Sequence, residues 1–265
     1  MILFRKLFCA MAVITLAACT SYKSVPYLQN VEQANALKVS NELYDAKIMP
    51  KDILTVTVNC SDPTASAPFN LTVQSMEASQ LNSGRSTTQA ALQQYLVSND
   101  GTIDFPVLGV LKVGGLTKNQ AEAMIREKLQ PYLKETPVVT VRMPNFKIAV
   151  LGEVTTPGTF TISNEKVNVL EALALAKDMT IWGRRDSVKL VREDATGQRQ
   201  IYFLNLNDAN IIHSPYYQLQ QNDVLYVTPN KTKAKNSDIG QSTSLWFSAT
   251  SILVSLASLL YNILK

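Results

Sequence analysis

The chain has 265 residues, 46% of them hydrophobic, with 25 Lys and Arg against 21 Asp and Glu. That composition excludes disordered, collagen-like and disulfide-dense classes, and the length fits roughly one or two domains. The net charge of +4 falls to +2 once the first 18 residues, with Arg5 and Lys6, are set aside; so weak a charge offers no footprint for nucleic acid.

Arg5 and Lys6 precede an uncharged apolar run over 7–16, the layout of a secretory signal peptide. The run ends in Leu16-Ala17-Ala18-Cys19, which resembles the lipobox of bacterial lipoproteins; a plain cleavage site before a cysteine is the bland alternative. In the lipoprotein family the signal is cut before the cysteine, which then carries the lipid. The resemblance therefore implies lipidation at Cys19, with each buried methylene adding about 0.8 kcal/mol of membrane affinity. Thr20 follows where an Asp would retain the protein at the inner membrane, so the family's sorting rule points to the outer membrane. With Cys9 lost and Cys19 lipidated, Cys60 stands alone and no intrachain disulfide is expected. Its place at the end of an alternating stretch suggests a small buried hydrophobe.

Residues 19–45 read as a polar tether. Pro50-Lys51-Asp52 turns the chain into a strand over 53–58, and 59–94 reads as a long Ser-, Thr- and Gln-rich excursion. Asn99-Asp100-Gly101 predicts a hairpin joining 95–98 to 102–105, followed by a short strand over 110–113. Thr117 and Gln120 form a capping box opening a helix over about 118–130. Strands follow over 138–141 and 146–154. Pro157-Gly158 suits a type II turn before a strand over 159–162. Asn168 and Glu171 cap a second helix, and 188–191, 200–204 and 224–227 read as strands. An internal echo pairs Ile48-Met49-Pro50-Lys51-Asp52-Ile53-Leu54 with Leu219-Gln220-Gln221-Asn222-Asp223-Val224-Leu225, consistent with two small modules.

Residues 245–264 form a stretch of 20 residues without a charge. As a helix rising ~1.5 Å per residue it would reach ~30 Å, the thickness of a bilayer core. Ser244, Ser248, Ser251, Ser255, Ser258 and Asn262 recur at intervals of 4, 3, 4, 3 and 4, one polar stripe. The stripe fits three arrangements: packing between helices, a wall facing water in a ring of helices, or a lone anchor whose serines bond their own backbone. Trp246 and Tyr261 lie near the ends, where interfacial aromatics would anchor a span. Lys231, Lys233 and Lys235 precede it, either to meet anionic headgroups or as a solvated linker.

Across about 46–230 the chain resembles the outer-membrane polysaccharide export family of Wza-like lipoproteins. The first module carries that family's Val97-Ser98-Asn99-Asp100-Gly101-Thr102-Ile103-Asp104-Phe105-Pro106-Val107-Leu108-Gly109 and Gly115-Leu116-Thr117. The second resembles its soluble-ligand-binding β-grasp (SLBB) module, through Val150-Leu151-Gly152-Glu153-Val154, Pro157-Gly158 and Val169-Leu170-Glu171-Ala172-Leu173. Two departures stand out. Lys51 and Asn222 replace a common glycine before the Asp of the strand-leading turn, and Lys177-Asp178 replaces the Gly-Gly after the second helix.

The resemblance implies an α+β fold. It comprises a signal peptide (1–18), tether (19–45), polysaccharide export domain (46–143), SLBB domain (144–230), linker (231–243) and C-terminal membrane-spanning amphipathic helix (244–265). It also implies an outer-membrane lipoprotein, bulk in the periplasm, that assembles into a homo-oligomeric ring and exports capsular or extracellular polysaccharide. An inner-membrane polysaccharide co-polymerase would be its partner, and no cofactor beyond the lipid on Cys19 is implied. The rival is a membrane-anchored periplasmic scaffold or carbohydrate-binding lipoprotein without a conduit. Catalysis is not expected. His213 is the only histidine, with no ligand spacing around it, no phosphate-binding loop or nucleophile elbow occurs, and Glu193 and Asp194 point apart along a strand end.

Overall fold

The computed structural model describes residues 25–36, 45–75, 89–194, 196–238 and 241–263. The signal peptide and Cys19 lie outside the described residues.

The first module is built on β1 (Ile53–Asn59), whose alternate residues Leu54, Val56 and Val58 are buried. It is flanked by antiparallel β4 (Gln94–Leu96) and β7 (Val138–Arg142). Between them the chain makes two separate hairpins, β2 (Thr72–Ser75) with β3 (Gln89–Leu92) and β5 (Thr102–Phe105) with β6 (Gly109–Lys112). Two expectations change here. The polar excursion contains a helical turn, Pro63–Ser66, and a hairpin, which its weak alternation concealed. The Asn99-Asp100-Gly101 turn does form, with Gly101 at φ 78°, but β4 leaves it to pair with β1 while β5 pairs with β6. The turn chemistry is local; the choice of partner is set by burying Tyr95 and Val97 against the core.

Helix α2 (Lys118–Leu129) starts at the expected capping box and packs on β7 through Ala121, Ile125 and Leu129. The preceding helix, α1 (Val31–Ala36), belongs spatially to the other module. Leu28 donates to Leu206 O (2.9 Å), Asn30 to Asp208, and His213 Nε2 meets Ala34 O at 3.0 Å. Residues 25–36 of the expected tether are thus strapped along the second module, and His213 serves that strap.

The second module is one mixed sheet of β11 (Arg199–Leu204), β10 (Gly183–Glu193), β12 (Val224–Pro229), β8 (Lys147–Gly152) and β9 (Gly158–Thr161), in that order. Only β12 and β8 run parallel. Helix α3 (Val169–Leu175), opened by the Asn168–Glu171 capping box, buries Val169, Ala172 and Leu173 beneath it. The positive φ expected of Gly158 in a type II turn falls instead on Gly152, where β8 ends. Buried residues of both modules form one continuous core.

The two departures from the family pattern keep the backbone that glycine would provide. Lys51 (φ 71°), Asn222 (64°), Lys177 (57°) and Asp178 (69°) all sit in the left-handed region. A non-glycine residue pays about 1–2 kcal/mol there. The exposed Lys177→Gly is expected to raise stability by about 0.5–1 kcal/mol after glycine's own entropy is counted, read as a higher denaturation midpoint.

After β12 the expected linker is partly helical, α4 (Lys231–Asp238), and is followed by α5 (Gln241–Ile263). The helix forms, but the expectation that it spans a membrane is overturned: among the described residues no helix is long and apolar enough to cross one. The stripe itself is the physical reason, since serines recurring every turn, together with Thr250, dilute the apolar run. The anchoring roles for Trp246 and Tyr261 lose their premise with it.

Candidate functional site

On α5 the hydroxyls turn inward on the helix. Ser255 Oγ donates to Ser251 O and Thr250 Oγ1 to Trp246 O, each at 3.0 Å, the i−4 back-bonding that hides a hydroxyl at little cost. Ser248, Ser251, Ser255 and Ser258 lie along one exposed face, and Trp246, Ile252, Leu253, Val254, Leu256, Leu259, Leu260 and Ile263 are exposed too. The side chains of Ser244, Tyr261 and Asn262 lie outside the described residues.

The feature that the sequence reveals only as an echo is the seam between the modules. Both strand-leading turns close in the same way: Asp52 Oδ2 accepts the Met49 N–H (2.8 Å) and Asp223 Oδ2 accepts the Gln220 N–H (2.7 Å). Asn145 Oδ1 accepts from Ile53 N (3.1 Å), while Gln221 donates to Asn145 O (2.9 Å) and accepts from Lys147 N (2.7 Å). Asn145 and Gln221 therefore stitch one turn to the other. Glu165, buried and at φ 57°, adds a second stitch by taking the Met143 N–H and Lys118 Nζ, both at 2.9 Å.

The two aspartates differ in their partners. Asp223 is held by Arg192 through a fork of 2.6–3.2 Å, and Arg192 also donates to Gln218 O. Asp52 is fully buried, and its Oδ1 has no hydrogen-bond partner among the described residues. Burial pushes the Asp52 carboxyl up from 3.8 to about 6, against the pull of the Met49 N–H and the nearby Gln221 side chain. Because its folded value lies above its unfolded one, this group favours the fold most below about pH 4 and loses that contribution as pH rises through about 6. The loss amounts to roughly 2–3 kcal/mol. Asp52→Asn keeps an acceptor for Met49 and removes the charge. The variant is expected to flatten stability between pH 4 and 7 and to exceed the wild type at pH 7.5, measured by urea melts across that range.

Above the seam lies an open cleft of about 700 Å³, lined by Lys51, Asn99, Gln221, Asn222, Thr196 and Arg199 among others. It continues onto the outer face of the five-stranded sheet through Val191 and Val224. Cys60 is half-exposed rather than buried; the local desolvation, with Glu135 and Asp62 close by, holds its thiol up and unreactive. His213 is engaged with the strap, and Glu193 is paired with Arg199.

These two modules coincide with two known families. Residues 40–144 match the family described as polysaccharide biosynthesis/export protein, and residues 146–227 match the SLBB domain. Among curated proteins, the chain is similar to the EPS I polysaccharide export outer membrane protein EpsA of Ralstonia nicotianae. The identity is 36% over 102 residues, covering 37% of this chain and 26% of that protein. The protein of the same name from Ralstonia solanacearum is 38% identical over 90 residues, covering 33% and 24%. The match thus spans about a quarter of the length of these curated relatives. The family matched over residues 40–144 is one of export proteins, not an enzyme class. Residues 40–144 thus carry an export domain that runs into an SLBB domain over 146–227 across a shared core.

Proposed function

We propose that the protein is a lipoprotein of the outer membrane, anchored through Cys19, whose copies assemble into an oligomeric channel for polysaccharide export. The bulk of each copy stands in the periplasm, where an inner-membrane polysaccharide co-polymerase delivers the polymer. One observation carries this reading: the export and SLBB domains lie end to end on two modules that are fused through a common core and stitched by Asn145 and Gln221. The curated relatives support it, both being polysaccharide export outer membrane proteins by name.

Assembly gives the exposed apolar residues of α5 a reason. Eight large hydrophobic side chains exposed on one helix leave a surface that water disfavours and a neighbouring copy covers. In that arrangement Ser248, Ser251, Ser255 and Ser258 form the close-packing face, with Ser244 and Asn262 extending it. The test is the native mass of the full chain extracted in mild detergent, beside a version ending at Ser242. A discrete oligomer that dissociates on truncation supports the reading; a monomer in both forms contradicts it.

A further inference from the structure

The outer face of the five-stranded sheet presents side chains whose positions are fixed by strand register. One row runs Phe203, Lys189, Tyr226, Leu151 across β11, β10, β12 and β8; the next runs Ile201, Val191, Val224, Ala149. Phe203 is 68% exposed, Ile201 59% and Leu151 44%, so this face presents an apolar patch beside the Glu193–Arg199 ion pair. Phe203 and Tyr226 sit on the two strands flanking β10, two strand spacings or about 10 Å apart. Lys189 lies between them, its Nζ 6.0 Å from the Phe203 ring centre and 5.8 Å from that of Tyr226. Among the described residues Lys189 has no carboxylate within ion-pair distance.

The lysine discriminates between occupants. A protein surface closing over this face would have to supply its own carboxylate and desolvate the pair, and lysine is depleted from interface centres. A hydrated, acidic chain matches the Phe203, Lys189 and Tyr226 row. The C–H faces of sugar rings stack on aromatic rings, a sugar carboxylate meets the ammonium, and remaining hydroxyls stay in water. The face then opens into the cleft, where Lys51, Asn99 and Asn222 offer donors to the same chain, while the Glu193 and Asp194 carboxylates that also line it are engaged by Arg199 and by the Thr196 and Gln198 N–H groups.

We propose that the Phe203–Lys189–Tyr226 row is a binding track for an acidic polysaccharide, one disaccharide spanning the two rings and its carboxylate facing Lys189. This rests on the export reading, and deepens it by naming an acidic polymer and the face that guides it. Weak binding suits the task, because a conduit must release what it holds.

The test is affinity electrophoresis of the full chain in mild detergent, through gels containing polygalacturonate or neutral dextran, with native mass recorded for each variant. Polygalacturonate retards the wild type and dextran does so less. Phe203→Ala and Tyr226→Ala each weaken retention roughly three- to tenfold. Phe203→Trp retains it, and Lys189→Gln erases the preference for the acidic polymer. Since the Phe203 side chain lies outside the core, its removal leaves the native mass unchanged. Retention equal to wild type in the alanine variants, or no retention of the wild type, overturns the proposal. So does a lower native mass for Phe203→Ala with retention intact, which makes the face a contact between copies. Failure in these gels leaves export itself standing, because export is read separately, as surface polysaccharide in cells lacking the gene.

Discussion

Gly152→Ala is expected to unfold the second module's edge and cost more than about 3 kcal/mol. Gly152 ends β8 at φ 91°, and a Cβ built there runs into the Val227 carbonyl oxygen and meets the Tyr226 ring at 3.1 Å. The left-handed backbone alone charges an alanine about 1–2 kcal/mol. The collision is with backbone, so no rotamer relieves it. Relief requires β8 to pull away from β12, breaking the Glu153 N–H to Val227 O bond of 3.0 Å. Gly158→Ala is the control: its φ is not positive and the nearest atom to its Cβ, on Phe160, lies at 3.9 Å. Denaturant melts should show a large drop in midpoint for the first variant and a change within about 1 kcal/mol for the second.

Arg192→Met should cost about 3–5 kcal/mol, because it leaves the Asp223 carboxylate buried without its counter-charge. Asp223 is 1% exposed and Arg192 11%, and three of their contacts lie at 3.2 Å or less. Arg192 also covers the Tyr216 ring, which stacks on Tyr202 at 3.9 Å between centres. Asp223→Asn should cost less than Arg192→Met, since the amide oxygen still accepts the Gln220 N–H, and the guanidinium left unpaired is 11% exposed and keeps its bond to Gln218 O, whereas the carboxylate is 1% exposed. Melts at pH 7.5 that rank the two in the opposite order would show that the arginine holds the turn by packing rather than by charge.

The parts that were legible in the sequence are those decided within a few residues. Thr117 with Gln120 and Asn168 with Glu171 announce their helices because both halves of a capping box lie within one turn. The partner of β4 was not legible, since a turn motif fixes the bend but not which neighbour buries Tyr95. The β2–β3 hairpin was hidden in Gln-Ala-Ala-Leu, which has neither alternation nor strand-forming residues. The α5 helix and its serine stripe were legible from their period; length and lack of charge suggested a span, but a polar side chain on nearly every turn leaves the helix too little apolar to cross a membrane. Lys51 and Asn222 were visible as departures from glycine, yet the tertiary structure holds them in glycine's backbone. The seam was half legible. The Asp52 and Asp223 echo marked two equivalent turns, but only the fold brings Gln221 to Asn145.

The central claim is export, and the most direct measurement is surface polysaccharide in the native host with the gene deleted, then restored by the wild-type chain. Loss of polymer from the cell surface on deletion, accumulation in the periplasm and recovery on complementation are predicted. Normal surface polysaccharide in the deletion strain would contradict the account.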